Sequence, residues 1–445
     1  MRVVIDADLC QGQGRCFSIA PDVFGFDELG NGVVLVTGEL GEGELELKTP
    51  VSDFATDFDH TDPTWVADPY PIWEDLRQRC PVAHTERYGG AWFPATHAGV
   101  TQIAKDTENF TSRTVIMNDG RPDEMALPSP IGVAPPITSD PPFHQIARKL
   151  ILPAFSPGAI NPLEPQVRAL CGTLLDRLAG RDVVEASWDY ARLIPPSVIR
   201  QMLGFPEADT EVFIDIVHTV TESVDLPMDE RIAAFEPIEE YFTRQIEDHQ
   251  ANPRDDLTTF LLNAEIDGQK LAVEHVFGTM ILILVAGIDT TWSAIGSSLW
   301  HLAQNPSDLQ RLVDEPDLMP VAIEEFLRFY APVTMARLVK HDMEYLGVTM
   351  REYDWILLGF PAANRDPTAF ADADRFIIDR AENRHVAFGL GIHRCAGSNL
   401  ARLELRVALE EFIARYPRFS LADPDQVTWS QGQIRGPRRL PIRVG

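Results

Sequence analysis

The stretch from 384 to 402, RHVAFGLGIHRCAGSNLAR, constrains the fold of this chain more than any other part of its sequence. It contains the pattern F-G-x-G-x-H-x-C-x-G, whose fixed positions would match by chance in about one chain in 10⁵. The cysteine precedes a helical pattern, and the positive end of a helix dipole stabilises a thiolate. Outside such a pattern, a cysteine is more often a buried apolar residue. The fixed positions are Phe388, Gly389, Gly391, His393, Cys395 and Gly397.

With this pattern the chain resembles the cytochrome P-450 family of haem monooxygenases over residues 60–445. The resemblance implies that Cys395 is the metal ligand of haem b, and a thiolate ligand favours O–O cleavage on iron. It also implies cofactor contacts from Phe388, Gly389, His393 and Gly397. The implied fold is mainly α with minor β: a triangular, helix-rich haem domain.

Two cationic groups, His144 and Arg148, stand four positions apart in DPPFHQIARKL. On a helix they share one face, and from the pair alone a solvated surface is the simpler interpretation. The resemblance implies instead that both bind haem propionates, together with Arg337 and His393. Four donors for two carboxylates would satisfy the charges of a buried ring.

An apolar helical pattern is interrupted by small and polar residues in LVAGIDTTWSAIG at 284–296. One interpretation is a kink, since Thr290 can donate a hydrogen bond to the carbonyl of Ala286. The resemblance implies that a distorted turn at Ala286 and Gly287 opens a groove beside the cofactor. Asp289 and Thr290 are then the predicted catalytic residues, which deliver protons for oxygen activation.

The pattern E-x-x-R occurs at Glu325 and Arg328. Alone it predicts only a surface pair on one helix face. The resemblance implies a buried ion pair that braces the cysteine loop, with Arg375 of ADADRF as the third member. These three residues are predicted to be structural.

The substrate pocket is predicted from apolar residues in the 115–135 and 210–235 regions, on the oxygen helix and at 333–336. Each of these residues could instead belong to the ordinary hydrophobic core. An apolar cavity suits a small lipophilic substrate, and a terpenoid, a substituted aromatic and a fatty acyl compound all stay open. The candidates are Met117, Met125, Ile131, Val133, Ile283, Val333 and Met335.

The first fifty residues resemble the first half of a single-cluster bacterial ferredoxin, with Cys10 and Cys16 spaced C-x₅-C. The further cysteine such ferredoxins need has no counterpart near 50–60, so an iron–sulfur cluster is not expected. The segment is interpreted as a truncated α+β ferredoxin-like fragment. Two alternatives stay open: a metal site completed by other residues, or two free thiols. The predicted organisation is this fragment at 1–50, a linker at 51–62 and the haem domain at 63–445.

Acidic residues outnumber basic residues 67 to 38, for a formal charge of −29. This sign disfavours binding to nucleic acid or to an anionic membrane. The longest strongly apolar run, 280–287, is far shorter than the ~20 residues that span a bilayer. The N-terminus has no apolar core of signal-peptide length. The chain is therefore expected to be soluble and cytoplasmic.

Electrons are expected from NAD(P)H through a separate ferredoxin and reductase, because no flavin or nicotinamide fingerprint follows the haem domain. An acidic ferredoxin would dock near the thiolate, where residues 375–406 hold six arginines and three acids, a balance of +3. Ordinary helix-surface arginine is the alternative. Two other functions are weighed: a peroxide-driven peroxygenase, against which the Asp289–Thr290 pair argues, and a haem electron carrier, against which the missing cluster cysteines argue.

The apolar periodicity predicts that helices dominate from Pro63 onwards, with short strands between them. The predicted helices lie near 141–155, 165–180, 208–224, 229–250, 272–304, 307–315, 318–330 and 396–416. The predicted strands lie near 82–93, 337–349 and 354–358, with further strand-like sequence in the first fifty residues.

Overall fold

The computed structural model describes residues 50–118, 122, 132–222, 228–266 and 268–445, together with two short strands nearer the N-terminus. Cys10, Cys16, Met125 and Ile131 lie outside the described residues. The chain divides into two units, 1–51 and 52–445. In the first unit, β1 (Phe24–Phe26) pairs antiparallel with β2 (Gly32–Val34).

The second unit is dominated by helices, as the sequence predicts. They are α1 (Pro63–Ala67), α2 (Tyr70–Arg79), α3 (His97–Lys105), α4 (Phe143–Ile151), α5 (Pro157–Ile160), α6 (Glu164–Arg177), α7 (Ile194–Met202), α8 (Thr210–Glu222), α9 (Met228–Ala251), α10 (Leu257–Asn263), α11 (Val273–Gln304), α12 (Pro306–Asp314), α13 (Met319–Phe329), α14 (Phe360–Ala363) and α15 (Ser398–Arg415).

The strands of the second unit are short. They are β3 (Val82–Thr85), β4 (Ala91–Pro94), β5 (Phe110–Thr111), β6 (Val183–Glu185), β7 (Glu265–Ile266), β8 (Gln269–Lys270), β9 (Thr334–Val339), β10 (Met343–Tyr345), β11 (Val348–Met350), β12 (Trp355–Gly359), β13 (Phe419–Leu421), β14 (Thr428–Trp429), β15 (Pro437–Arg439) and β16 (Pro441–Val444).

One mixed sheet runs in the order β3-β4-β12-β9-β5, and its β12 is parallel to β4 but antiparallel to β9. A second sheet has the order β13-β16-β6. All five residues of β12 are buried, as expected for a strand that is covered on both faces. The register pairs Ile356 of β12 with Arg337 of β9, which fixes the position of a predicted site residue.

Helix α11 is the central element of the helical part. It is apolar nearly all round, which is typical of a helix buried in a core, and α6, α7 and α15 belong to the same hydrophobic cluster. Among the described residues it is the one helix long and apolar enough to cross a membrane, but 67% of its most apolar window is buried inside the fold. Burial against other helices explains its composition.

The linker predicted at 51–62 is not a separate segment, because residues 52–62 belong to the second unit. Phe58 is fully buried and Asp59 is 2% exposed. Asp57 accepts a hydrogen bond from the Arg87 guanidinium at 2.7 Å, and the Tyr88 hydroxyl donates to Asp59 at 2.5 Å. The segment therefore packs within the second unit, whose boundary falls after Val51.

Candidate functional site

The loop that carries Cys395 is held by its own backbone. The Cys395 N–H donates to the Phe388 carbonyl at 2.8 Å. Gly389 and Gly391 have φ angles of 67° and 66°, which glycine adopts without strain. A Cβ on Gly391 would also lie 2.8 Å from the Ala104 carbonyl oxygen. Glycine is thus required at both positions by the positive φ angle, and at Gly391 also by the close approach of the loop to α3.

The Cys395 side chain is accessible at this loop, three residues before α15 begins. The surrounding protein raises the pKa of its thiol by burial, while the Gly397 N–H and the Arg148 charge lower that pKa. A Cβ on Gly397 would stand 3.9 Å from Sγ, so its absence leaves the sulfur uncovered on that side. This thiol is accessible to a ligand.

The structure brings the four predicted propionate donors together. The rings of His144 and His393 lie 4.4 Å apart, edge to face. Arg148 donates a hydrogen bond to the Arg394 carbonyl. Burial lowers the pKa of His144 to about 4, and the charges of Arg148 and Arg337 add to the effect. Burial also lowers the pKa of Arg337 to about 10.

This cationic cluster, His144, Arg148, Arg337 and His393, fits an anionic group. Both ring nitrogens of His144 and the Nε2 of His393 have no hydrogen-bond partner among the described residues. Arg337 is 5% exposed, and its guanidinium donates to the neighbouring Ala336 carbonyl at 2.7 Å. Buried donors normally have acceptors, so the cluster matches the two propionates of haem next to an accessible thiol.

Helix α11 presents an accessible face at its midpoint. Ala286 is exposed although Leu284 and Ile288 are buried. The Thr290 hydroxyl donates to the Ala286 carbonyl at 2.9 Å, as one sequence interpretation expected. The helix itself continues without a break from Val273 to Gln304.

Gly287 is tightly packed on the side where a side chain would stand. A Cβ at this position would meet the Cδ1 atom of Ile199 on α7 at 2.6 Å. Because Ile199 is 1% exposed, the contact is part of the core. The glycine therefore permits close packing of α11 on α7, and Ala286 and Thr290 form the accessible face.

Asp289 is buried and ion-paired. It is 1% exposed, and its Oδ1 accepts a hydrogen bond from Nη2 of Arg438 at 2.7 Å. The sequence identified the acid but missed Arg438, which lies on β15. No local signal could have revealed it, since the two residues are 149 positions apart.

The E-x-x-R pair forms a buried cluster, but its third member is Arg380. Glu325 and Arg328 are both fully buried and joined by two hydrogen bonds of 2.8 Å. The Arg380 Nε donates to Glu325 at 3.0 Å. Arg375, the predicted partner, has an exposed side chain and contributes its carbonyl oxygen to Arg328. The chain turns after 375 so that the later arginine points inward.

This cluster is connected to the cysteine loop through Asn364. Arg328 donates to the Asn364 carbonyl at 2.8 Å, and the Asn364 side chain accepts from the Val386 N–H at 2.8 Å. A second brace lies beside it, where Glu324 binds Arg402 at 2.6 Å and His385 at 3.0 Å. The Arg402 guanidinium lies 4.4 Å from the ring centre of Phe388. Sequence reasoning missed Asn364, Glu324 and His385.

The predicted pocket residues are distributed over separate hydrophobic clusters. Ile283 belongs to the helical core, Met117 to the core under the mixed sheet, and Met335 packs against a third cluster. Val333 forms an isolated bridge with Ile434. Which of them contact a substrate stays a prediction.

Comparisons with known proteins agree with this geometry. A cytochrome P-450 family model matches residues 213–432, and a model of the 4Fe-4S single cluster domain matches residues 3–52. The chain is 33% identical over 389 residues to the vitamin D(3) 25-hydroxylase of Pseudonocardia autotrophica, covering 86% of this chain and 95% of that protein. It is 34% identical over 315 residues to the mycinamicin IV hydroxylase/epoxidase of Micromonospora griseorubida, covering 69% and 79%.

The fold is also similar to that of CYP109E1 from Bacillus megaterium, solved in complex with testosterone. The TM-score is 0.78 at 30% identity, and the match covers 85% of this chain and 98% of that one. The predicted fold class is confirmed by this similarity, and the N-terminal match agrees with the ferredoxin-like resemblance of that segment.

Proposed function

Since the chain belongs to the cytochrome P-450 family of haem monooxygenases, we propose that it inserts one oxygen atom from O2 into a small lipophilic substrate. The reaction consumes RH, O2, NAD(P)H and one proton, and it yields ROH, water and NAD(P)⁺. Hydroxylation, epoxidation and O-dealkylation all satisfy this balance. A relative named as a vitamin D(3) 25-hydroxylase and a similar structure solved in complex with testosterone support an apolar substrate.

The cofactor of the family is haem b, which supplies the iron on which dioxygen is reduced. Cys395 would bind the iron, and the cationic cluster would bind the propionates. The observation that carries the proposal is the accessible Cys395 thiol beside buried imidazoles that have no partner among the described residues. Two arginines supply the charge, and two imidazoles supply hydrogen bonds.

Proton delivery is proposed for Thr290 and Asp289. The Thr290 hydroxyl lies on the accessible face of α11 and is held by the Ala286 carbonyl. Asp289 is the preceding residue of the helix and is buried. A hydroxyl and a carboxylate that are adjacent in the chain can pass a proton toward the oxygen side of the cofactor.

Electrons are proposed to come from a separate acidic ferredoxin, which would dock near Cys395. Of the six arginines counted in 375–406, Arg380, Arg402 and Arg406 are committed to ion pairs inside the fold. Exposed charge next to the cysteine loop comes from Arg394, from Lys149 beside Arg148, and from Lys105, whose backbone adjoins Gly391. These three cations define the proposed docking face. The acidic composition and the burial of α11 support a cytoplasmic location.

The absorption spectrum of the reduced, CO-bound protein tests the central claim. Wild-type protein should show the red-shifted Soret band of thiolate-ligated haem, and Cys395→Ser should lose it. Cys80→Ser is the matched control, since the Cys80 sulfur contacts the Val82 carbonyl in another part of the fold. A wild-type spectrum without that band would refute the assignment. Turnover with NADH, ferredoxin and reductase, compared with peroxide alone, then separates a monooxygenase from a peroxygenase.

A further inference from the structure

Arg438 connects the buried acid of α11 with the protein surface. Its Nη2 donates to Oδ1 of Asp289 at 2.7 Å. The Arg438 side chain is 13% exposed, whereas that of Asp289 is 1% exposed. A buried carboxylate needs a cation or hydrogen-bond donors. In this fold the guanidinium provides both, and it comes from a strand far from α11 in the sequence.

The guanidinium is held on three sides. Nη1 donates to the Ser293 hydroxyl at 3.2 Å, and the Trp292 ring lies 4.2 Å below. The ring of Trp292 is itself fixed, because its Nε1 donates to Ser187 at 2.7 Å. Ser187 in turn donates to the Pro437 carbonyl at 2.5 Å, beside Arg438. Trp292 is therefore linked through Ser187 to the backbone of Pro437, which is the residue before Arg438.

The strand that carries Arg438 approaches α11 unusually closely. A Cβ on Gly436 would lie 2.3 Å from Cβ of Ser293, and a Cβ on Gly296 would lie 2.8 Å from Cγ of Pro437. Small residues on both elements make this contact possible. The backbone on either side of Arg438 consequently has little freedom to move relative to Asp289.

We propose that Arg438 is a positioning residue, which fixes the Asp289 carboxylate in the place from which it takes part in proton delivery. The inference rests on the proposed monooxygenase function and goes beyond it by naming the control of proton delivery. Loss of the guanidinium leaves a buried carboxylate that turns away from its present position. Electrons would still arrive, but oxygen would leave as hydrogen peroxide instead of being split.

The test does not require a known substrate. Without substrate, O2 takes two electrons from one NADH to form H2O2, or four electrons from two NADH to form water. Only the second route needs delivery of protons for O–O cleavage. The ratio of NADH consumed to H2O2 released, measured with an acidic ferredoxin and an NADH-dependent ferredoxin reductase in H2O and in D2O, therefore reports on proton delivery.

Arg438→Gln should lower the flux to water about tenfold, since proton transfer by a positioned group contributes at least that much. Its solvent isotope effect on NADH oxidation should exceed that of the wild type. Arg438→Lys should recover part of the loss. Arg439→Gln is the matched control, because Arg439 is the adjacent exposed arginine and contacts Gln426 instead. It should behave like the wild type.

Equal water flux and equal isotope effects in Arg438→Gln and Arg439→Gln would overturn the inference. If Arg438→Gln does not fold, Ser293→Ala removes one contact of the guanidinium without a change of charge and should shift the ratio in the same direction. In an Asp289→Asn background, Arg438→Gln should have no further effect, and an additional loss there would also contradict the proposal. Failure of the monooxygenase assignment is distinguishable, because the wild type would then lack the thiolate CO band.

Discussion

The side-chain oxygen of Asn364 accepts a hydrogen bond from the Val386 N–H at 2.8 Å, while its carbonyl accepts one from Arg328. One fully buried residue thus joins the buried ion pair to the start of the cysteine loop. Asn364→Ala should lower the free energy of unfolding by about 1–3 kcal/mol, because it leaves the buried Val386 N–H without an acceptor. Denaturant titration measures this change, and the CO band should weaken in parallel.

Asn263→Ala is the control for this change, because the Asn263 side chain also bonds a backbone group, donating to the Thr259 carbonyl, but is exposed. It should leave both the stability and the spectrum unchanged. Equal effects of the two variants would mean that Asn364 does not brace the loop.

Arg380 and Arg375 offer a direct contrast. Arg380→Ala should destabilise the protein by about 3 kcal/mol, since it removes a buried partner of Glu325. Arg375→Ala should stay within about 0.5 kcal/mol of the wild type, because its exposed guanidinium is not the part that Arg328 binds. Thermal unfolding of the two variants decides between them, and the reverse ranking would show that the assignment of the third member is wrong.

Glu324 should make stability depend on acid pH. Burial acts to raise the pKa of Glu324, but hydrogen bonds from Arg402 and His385 dominate and hold that pKa at about 2, below the usual 4.5. A depressed pKa contributes stability above pH 4.5 that is lost as the pH falls toward 2. Glu324→Gln should therefore flatten the unfolding free energy in this window. An unchanged slope between pH 4.5 and 2 would contradict the ion pair.

Glu404 should change the pH dependence of stability in the direction opposite to Glu324. It is fully buried on α15, and neither carboxylate oxygen has a hydrogen-bond partner among the described residues. Burial raises the pKa of Glu404 well above 4.5. The free energy of unfolding therefore falls as the pH rises from 4.5 toward this raised pKa. Glu404→Gln should be at least as stable as the wild type at pH 7, with the advantage shrinking at pH 4. Destabilisation at pH 7 would reveal a partner for the carboxylate.

Gly287→Ala tests the packing of α11 on α7. The added methyl group would overlap Cδ1 of Ile199, and overpacking of this kind costs about 1–3 kcal/mol. Ile199→Val removes that atom and should recover most of the loss in the double variant. Additive effects of the two substitutions, measured by denaturant unfolding, would show that Gly287 is required for another reason.

Long elements with regular apolar spacing could be predicted well from the sequence. The helix expected at 272–304 spans Val273–Gln304, and the helix expected at 229–250 spans Met228–Ala251. Helices α2 and α7 were missed because each begins with proline residues that hide the periodicity. Proline fits the first turn of a helix, but in a sequence it is also typical of a loop.

The site was predictable where a motif is local and unpredictable where partners are distant. Cys395 and the glycines before it stand in one short pattern. The choice between Arg375 and Arg380 depends on the direction in which the chain turns, which residue order alone does not fix. Arg438 depends on the docking of one strand against a helix, a contact between segments 149 positions apart.

That contact has a consequence for biosynthesis. The ribosome completes Asp289 long before Arg438, and at ordinary elongation rates the interval is on the order of ten seconds. Cys395 and the cationic cluster are complete 43 residues before Arg438, so the chain holds them all only in the last part of this interval. The emerging protein can therefore acquire its haem-binding residues before the arginine that controls its acid.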